Sequence, residues 1–244
     1  MTRSGSPTKI QPAQMDTPPI IVDAFELSAN GCRSTQCLIA KAPMHQPSRK
    51  YQQQACRHLL HTLLTPNPFR PNGTISDGEW SLHKAETGAP ILTDGNHDSN
   101  YSVSMSHSRN WMMVSVSVNA TVGVDIECGK PGMNSEQLAE FMGWDGFAHD
   151  RDDFLACWTL WEACVKQKQS SIFEPSNSAF EALIASRNTE GVSMANEWAA
   201  VRGVVADGPH FALVLKHREK QPLQLNRSFM ATDTAVKGKS IASC

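Results

Sequence analysis

Acidic and apolar residues alternate in the segment TVGVDIE at positions 121–127. Side chains of a β-strand point alternately to its two faces, so this pattern places Asp125 and Glu127 on one face and the apolar residues on the other. Alternate residues of a strand lie about 6.5 to 7 Å apart, so both carboxylates can bind one hard cation such as Mg²⁺. Gly123 on the acidic face leaves room for a bulky group. The same pattern also fits a solvent-exposed strand face that ends in a turn at 129–132.

A second segment, WTLWEACVK at 158–166, has the periodicity of a helix. Glu162 and Lys166 are four residues apart and are therefore neighbours on the helix surface. On its own, such a pair is an ordinary surface ion pair that contributes only a few tenths of a kcal/mol.

A histidine lies in a third segment, MSHS at 105–108, where a predicted strand ends before a turn at 109–110. Side chains project from the sheet at such an edge. The imidazole of His107 can donate a hydrogen bond to a phosphate, although a surface or turn histidine fits this position equally well.

Hydrophobic periodicity predicts the elements that must position these residues. Strands are predicted at 20–27, 101–106, 111–118, 122–127, 180–185, 198–205 and 210–215. The three strands within 101–127 resemble successive antiparallel strands. Helices are predicted at 48–64 and 152–168, and a connection rich in Pro and Gly at 65–100 is long enough to carry short strands or a function.

The order of these elements is mixed and lacks regular βαβ alternation. It therefore predicts an α+β fold, with two similar halves at 20–119 and 120–217. A polar leader at 1–19 and a charged tail at 218–244 are predicted to be flexible.

The composition is that of an ordinary globular protein, with 40% of the 244 residues hydrophobic and 19% charged. The 22 Lys and Arg residues nearly balance the 24 Asp and Glu residues, so no global basic field exists to hold nucleic acid. Seven cysteines without a CxxC pair or zinc-site spacing favour a reducing compartment. No stretch approaches the roughly 18 apolar residues that a membrane helix requires. These features predict a cytoplasmic protein that binds neither nucleic acid nor membrane.

Taken in order, the three segments resemble the surfactin-synthetase-activating (Sfp-like) class of 4′-phosphopantetheinyl transferases. That family has an S-H-S strand end, then a G-[IV]-D-x-E strand, then a helix with W-[ST]-x-K-E-[AS]-x-x-K. The counterparts in this chain are SHS at 106–108, GVDIE at 123–127 and WTLWEACVK at 158–166. The motifs cover about residues 48–168. The resemblance implies two similar α/β halves packed as a pseudodimer.

The family resemblance also implies an activity. It is the Mg²⁺-dependent transfer of the 4′-phosphopantetheine arm of coenzyme A to a serine of an acyl or peptidyl carrier protein, with release of adenosine 3′,5′-bisphosphate. Asp125, Glu127 and Glu162 would hold Mg²⁺ against the coenzyme A pyrophosphate. Glu162 is the candidate base for the serine proton, and Lys166 is the cation that stabilises phosphate charge. A monomer is the simplest expectation for such a chain.

By the same resemblance, His107 binds the 3′-phosphate of coenzyme A, and a basic first helix lies near the adenosine phosphates. The coenzyme A-binding residues implied in this way are Arg49, Lys50, Arg57, Ser106 and His107. Lys84 is a further candidate, as a cation that could compensate for a family lysine that this chain lacks. The match of the basic helix is loose, and a solvated helix face fits it equally well.

Two positions depart from the family pattern. Ala89, in the segment KAETGAP at 84–90, and Trp161 both stand where the family has lysine. Loss of one charge-assisted phosphate contact costs on the order of 1.5 to 3 kcal/mol, about ten- to a hundredfold in affinity. Two other functions therefore stay open. One is a carrier-protein or coenzyme A-binding module of the same fold with lost or weak turnover. The other is a metal-dependent phosphohydrolase, which would need further metal ligands, but His83, His97 and His149 do not have the spacing of a metal motif.

Overall fold

The computed structural model describes residues 3–10, 15–29, 32–65, 80–94, 97–98, 101–118, 120–168, 178–185, 192–195, 197–205, 208–217 and 223–228. The strands within these ranges are β1 (Arg3–Lys9), β2 (Ile20–Ala29), β3 (Cys32–Lys41), β4 (Trp80–Ala85), β5 (Pro90–Asp94), β6 (His97–Asp98), β7 (Tyr101–Ser108), β8 (Trp111–Val118), β9 (Ala120–Glu127), β10 (Val192–Ala195), β11 (Trp198–Val204), β12 (His210–His217) and β13 (Leu223–Ser228). The helices are α1 (Arg49–Leu64), α2 (Ser135–Met142), α3 (Arg151–Lys168) and α4 (Ser178–Ala185). No helix in the described ranges is both long and apolar enough to cross a membrane.

The strands form three sheets, in which the strand pairs are antiparallel. A five-stranded sheet has the order β13-β2-β3-β8-β7, and a four-stranded sheet has the order β10-β11-β12-β9. A further four-stranded sheet, β1-β4-β5-β6, is built largely from the long connection after α1. Antiparallel sheets combined with helices confirm the predicted α+β class.

A helix covers the outer face of each of the first two sheets. Leu60 of α1 is buried in one cluster with Val114 of β8, in the five-stranded sheet. Leu160 of α3 is buried in another cluster with Val214 of β12, in the four-stranded sheet. Both helices are therefore held by their apolar faces against a sheet, as the periodicity of their sequences predicts.

The inner faces of the same two sheets meet in a shared core. Alternate residues of β12 show this arrangement, because Val214 faces α3 whereas Leu213 and Phe211 enter the shared core. Across that core the ring of Phe211 lies 5.8 Å from the ring of Phe25 on β2, measured between centroids. The two sheets that share this core and their outer helices thus form four layers, in the order helix, sheet, sheet, helix.

Strand β9 leaves the first sheet instead of extending it. The prediction of three successive antiparallel strands is right for β7 and β8, which pair with each other. It is wrong for β9, which pairs with β12 in the other sheet. Both edges of β8 are already occupied, one by β3 and one by β7, so β9 finds no partner there.

Two strands lie in segments that were predicted to be flexible. β1 pairs with β4 inside the predicted leader 1–19, and β13 pairs with β2 inside the predicted tail 218–244. Neither strand is predicted from the sequence, because backbone hydrogen bonds hold a strand in a sheet without any alternation of apolar side chains. The register of β1 shifts between Ser4 and Thr8, a stretch that contains Pro7, which has no N–H to donate.

The strand predicted at 180–185 is wrong, because this segment lies in helix α4. Short apolar runs fit a buried strand and a buried helix equally well. Ala, Glu and Leu favour the helix, and Ala179, Phe180 and Leu183 are buried at helical spacing.

Candidate functional site

An ammonium group brings the three sequence motifs together. Lys166 Nζ on α3 donates to Asp125 Oδ1 on β9 at 2.6 Å and to Ser106 Oγ on β7 at 3.1 Å. It also lies 3.6 Å from Glu162 Oε2, one turn earlier on α3. We call Ser106, Asp125, Glu162 and Lys166 the central site. It lies where β7 and β9, strands of the two sheets that share the core, run side by side.

Helix α3 lies directly against the backbone of β9 because Gly123 has no side chain. A Cβ at Gly123 would overlap the carbonyl oxygen of Ala163 and the backbone nitrogen of Gln167. The expected space beside Gly123 therefore exists, but α3 fills it and no ligand can. This close approach places Lys166 beside Asp125.

Asp125 lies inside the protein and not on a solvent-exposed strand face, since its exposed fraction is 3%. Its Oδ1 accepts hydrogen bonds from Ser106 Oγ at 2.7 Å and from Lys166 Nζ. Its Oδ2 is buried and has no hydrogen-bond partner in the described part of the chain. A buried carboxylate oxygen without a partner is costly, so this oxygen is suited to receive a cation.

Glu127 is half-buried at the end of β9 and is held at one oxygen. Its Oε1 accepts from Ser108 Oγ at 3.0 Å and from the backbone N–H of Gly129 at 2.9 Å. Gly129 has a φ of +68°, a conformation that side chains disfavour, and the chain turns there immediately after the strand. The turn therefore fixes the carboxylate as well as ending β9.

Glu162 is set apart from an exposed glutamate by its surroundings. Burial and the negative charge of Asp125 raise the pKa of Glu162, Lys166 lowers it, and Glu127 raises it further. Its carboxylate therefore accepts a proton at higher pH than usual, which suits a general base.

His107 is exposed beside the central site. Burial of part of the ring, followed by the positive charges of Lys166 and Arg49, lowers the pKa of His107. Arg49 begins α1, so the start of this helix lies near enough to act on the imidazole. Lys166 and Arg49 therefore both lie close enough to His107 for their charges to act on its imidazole.

The other predicted basic residues are placed less closely. Lys50 is exposed and Arg57 is half-buried. No hydrogen bond or ion pair within the described ranges joins Lys50 or Arg57 to the central site. Lys84 is exposed near the end of β4, just before the turn at 86–89.

A pocket of about 230 Å³ opens beside Lys166. The turn between β4 and β5 forms one wall at 87–90, and Val103 and Met105 of β7 and Val165 of α3 form others. Ala89, which stands in place of the family lysine, is among the lining residues. The pocket therefore joins the predicted KAETGAP segment to the central site.

Trp161, the second departure, belongs to the core. Its exposed fraction is 6%, and its ring lies 5.8 Å from that of Trp144 and 5.3 Å from that of Phe180, between centroids. These contacts place Trp161 on the buried face of α3. A lysine at position 161 would be buried among aromatic rings in this protein.

Sequence reasoning missed part of the site. Ser108 Oγ bonds Glu127, and Ser102 and Ser104 bond the backbone of β9. The signal was present as a serine at every second position in YSVSMSHS, the sequence of β7. Only the last three residues of that run, at 106–108, entered the motif.

The predicted three-carboxylate metal set is not drawn together. Nowhere in the described ranges do three Asp, Glu, His or Cys side chains lie close enough to hold a metal ion by themselves. Lys166 lies within 4 Å of both Asp125 and Glu162 and partly neutralises them. No protein-family model matches the chain, and no curated protein matches it in sequence. The function of the site is therefore argued from its own side chains.

Proposed function

We propose that this protein transfers the 4′-phosphopantetheine arm of coenzyme A to a serine of an acyl or peptidyl carrier protein. The observation that carries the proposal is the meeting of three motifs at one site. Ser106 and Lys166 are 60 residues apart in the chain, and Asp125 and Lys166 are 41 apart, yet hydrogen bonds join them. Chance likeness of three separate segments does not require their side chains to meet, whereas a shared active site does.

The layer order supports the pseudodimer part of the proposal. Each half would contribute a helix and most of one sheet, with β13 added to the first sheet from beyond residue 217. The shared core would be the interface between halves. The central site then lies at the junction, where ligand sites often occur.

The carboxylates fit Mg²⁺ in chemical type. Mg²⁺ commonly binds one or two protein carboxylates together with substrate phosphates, so a complete cage of three is not required. The buried, unpartnered Oδ2 of Asp125 is suited to such an ion. Glu127 and Glu162 are the other candidate ligands, and the ion would not need both of them at once. When bound, the ion would offset the charge of the coenzyme A pyrophosphate.

The side chains of the central site supply the remaining chemistry. The carrier serine Oγ forms a bond to the β-phosphorus, the bond from that phosphorus to the pyrophosphate bridging oxygen breaks, and adenosine 3′,5′-bisphosphate leaves with the electron pair. Glu162 would take the serine proton, directly or through water. Lys166 lies in the pocket wall, where its ammonium group stabilises phosphate charge.

Incubation of the protein with an apo carrier protein, coenzyme A and Mg²⁺ tests the proposal. Mass spectrometry should show the carrier gaining one phosphopantetheine group. Tight coenzyme A binding without a mass gain would instead favour the binding module. Phosphate release from simple esters in the absence of any carrier would favour the phosphohydrolase.

His107→Ala is expected to raise KM for coenzyme A about tenfold and to change kcat less, because a ground-state phosphate contact contributes mainly to binding. Dephospho-coenzyme A, which lacks the 3′-phosphate, should show little change in KM. Steady-state kinetics with both substrates check this. Equal effects on the two substrates would place His107 away from the 3′-phosphate.

Ala89→Lys is expected to tighten coenzyme A binding about tenfold, because it adds a cation to a pocket wall that a phosphate would face. Calorimetric titration with coenzyme A and Mg²⁺ measures the effect. Ala89→Met, which adds length without charge, is the matched control and should bind like the unaltered protein. Unchanged affinity in Ala89→Lys would mean that this pocket does not receive a phosphate.

A further inference from the structure

The four serines of β7 all turn toward β9. Three of them accept a hydrogen bond from a backbone N–H that lies 20 residues later in the chain. Ser102 accepts from Val122, Ser104 from Val124 and Ser108 from Cys128. The three N···O distances are 3.0, 3.0 and 3.1 Å. Hydroxyl groups thus join the two sheets here, where a backbone ladder would otherwise be expected.

The serines differ in what they do with their own protons. Ser106 Oγ donates to Asp125 Oδ1 at 2.7 Å, and Ser108 Oγ donates to Glu127 Oε1 at 3.0 Å. Ser108 accepts from the N–H of Cys128 at the same time, so its hydroxyl proton is directed at the carboxylate. The two acidic residues of β9 are therefore each held at one oxygen by a serine of β7.

A second observation concerns the other oxygen of Asp125. The exposed fraction of Asp125 is 3%, and Lys166 and Ser106 both donate to its Oδ1. Its Oδ2 has no hydrogen-bond partner in the described structure. Ser106 therefore binds Oδ1 of Asp125 and leaves Oδ2 available to a cation.

We infer that Ser108 is a positioning residue, which acts through Glu127 on the binding of Mg²⁺ and coenzyme A, and that Ser106 acts in the same way through Asp125. The inference rests on the proposed function, because it assigns these carboxylates to the cation. Hydrogen-bond partners of metal-binding side chains commonly change metal affinity or activity ten- to a hundredfold when removed. Among the described residues Ser102 bonds the backbone of β9 and no carboxylate, so its hydroxyl should have no such effect.

Calorimetric titration of the full-length protein with coenzyme A, with and without Mg²⁺, tests the inference. Ser108→Ala should weaken Mg²⁺-dependent coenzyme A binding about tenfold. Ser102→Ala is the matched control, since it loses the same kind of bond to a β9 backbone N–H without touching a carboxylate. Thermal melts should show similar shifts for the two variants, while only Ser108→Ala loses affinity.

A double-mutant cycle separates positioning from general damage. In a Glu127→Gln background, Ser108→Ala should cause no further loss of affinity, and Ser108→Thr should restore binding in the otherwise unaltered protein because it keeps the hydroxyl. If Ser108→Ala does not fold, Ser108→Cys, a near-isosteric change to a weak donor, takes its place. Equal losses in Ser102→Ala and Ser108→Ala, or a full Ser108 effect in the Glu127→Gln background, would overturn the inference.

The outcome for the unaltered protein distinguishes this inference from the proposed function. Absence of both Mg²⁺-dependent coenzyme A binding and carrier modification would remove the proposed function and the inference with it. Normal binding and carrier modification, together with equal behaviour of the two serine variants, would remove the inference alone.

Discussion

Gly123→Ala is expected to reduce carrier modification about a hundredfold and to lower the free energy of unfolding by about 1 to 3 kcal/mol. The added methyl group would overlap the backbone of α3 at Ala163 and Gln167, so the helix has to move away from β9. That movement separates Lys166 from Asp125. For a chain of this size, each kcal/mol corresponds to about 2 to 4 °C in Tm.

Gly146→Ala is the control for this change. Nothing lies within 4 Å of a Cβ at Gly146, and its backbone does not require glycine. It should leave both Tm and transfer rate close to those of the unaltered protein. Thermal melts and mass-spectrometric transfer rates should be compared for the unaltered protein, Gly123→Ala and Gly146→Ala. A normal rate in Gly123→Ala would show that α3 need not lie against β9 for activity.

Asp125→Asn is expected to reduce carrier modification at least about a hundredfold, because it removes the charge of the carboxylate best suited to the cation. The amide has nearly the same shape as the carboxylate, so the shape of the site should persist. Lys166 loses its closest partner, at 2.6 Å, but is itself 32% exposed. We therefore expect a stability loss of about 1 to 2 kcal/mol, less than for a fully buried pair.

Asp145→Asn, a change at an exposed acidic residue outside the site, is the control for Asp125→Asn. Transfer rates should be measured at several Mg²⁺ concentrations, and Tm alongside them. If Asp125→Asn modifies the carrier at a rate similar to that of Asp145→Asn, Asp125 has no role in the reaction.

The sequence alone determined which face each residue of β9 occupies. Period-two alternation put Val122, Val124 and Ile126 on an apolar face, and these residues are buried in the shared core. The helical period likewise predicted α1 and α3, and the spacing of Glu162 and Lys166 made them neighbours on one turn. These features are local, because the geometry of a strand or helix sets them without reference to the rest of the chain.

Tertiary structure decided which partners meet across the fold. No local pattern indicates that Gly123 receives the backbone of α3 or that Lys166 bonds Asp125, and the alternating serines of β7 do not by themselves show that Ser108 holds Glu127. β1 and β13 were missed because backbone hydrogen bonding requires no particular side chains, and 180–185 became a helix because short apolar runs fit either structure. Periodicity states which side of an element is apolar, but the neighbour on that side depends on how all the elements pack, and that packing joins residues far apart in the chain.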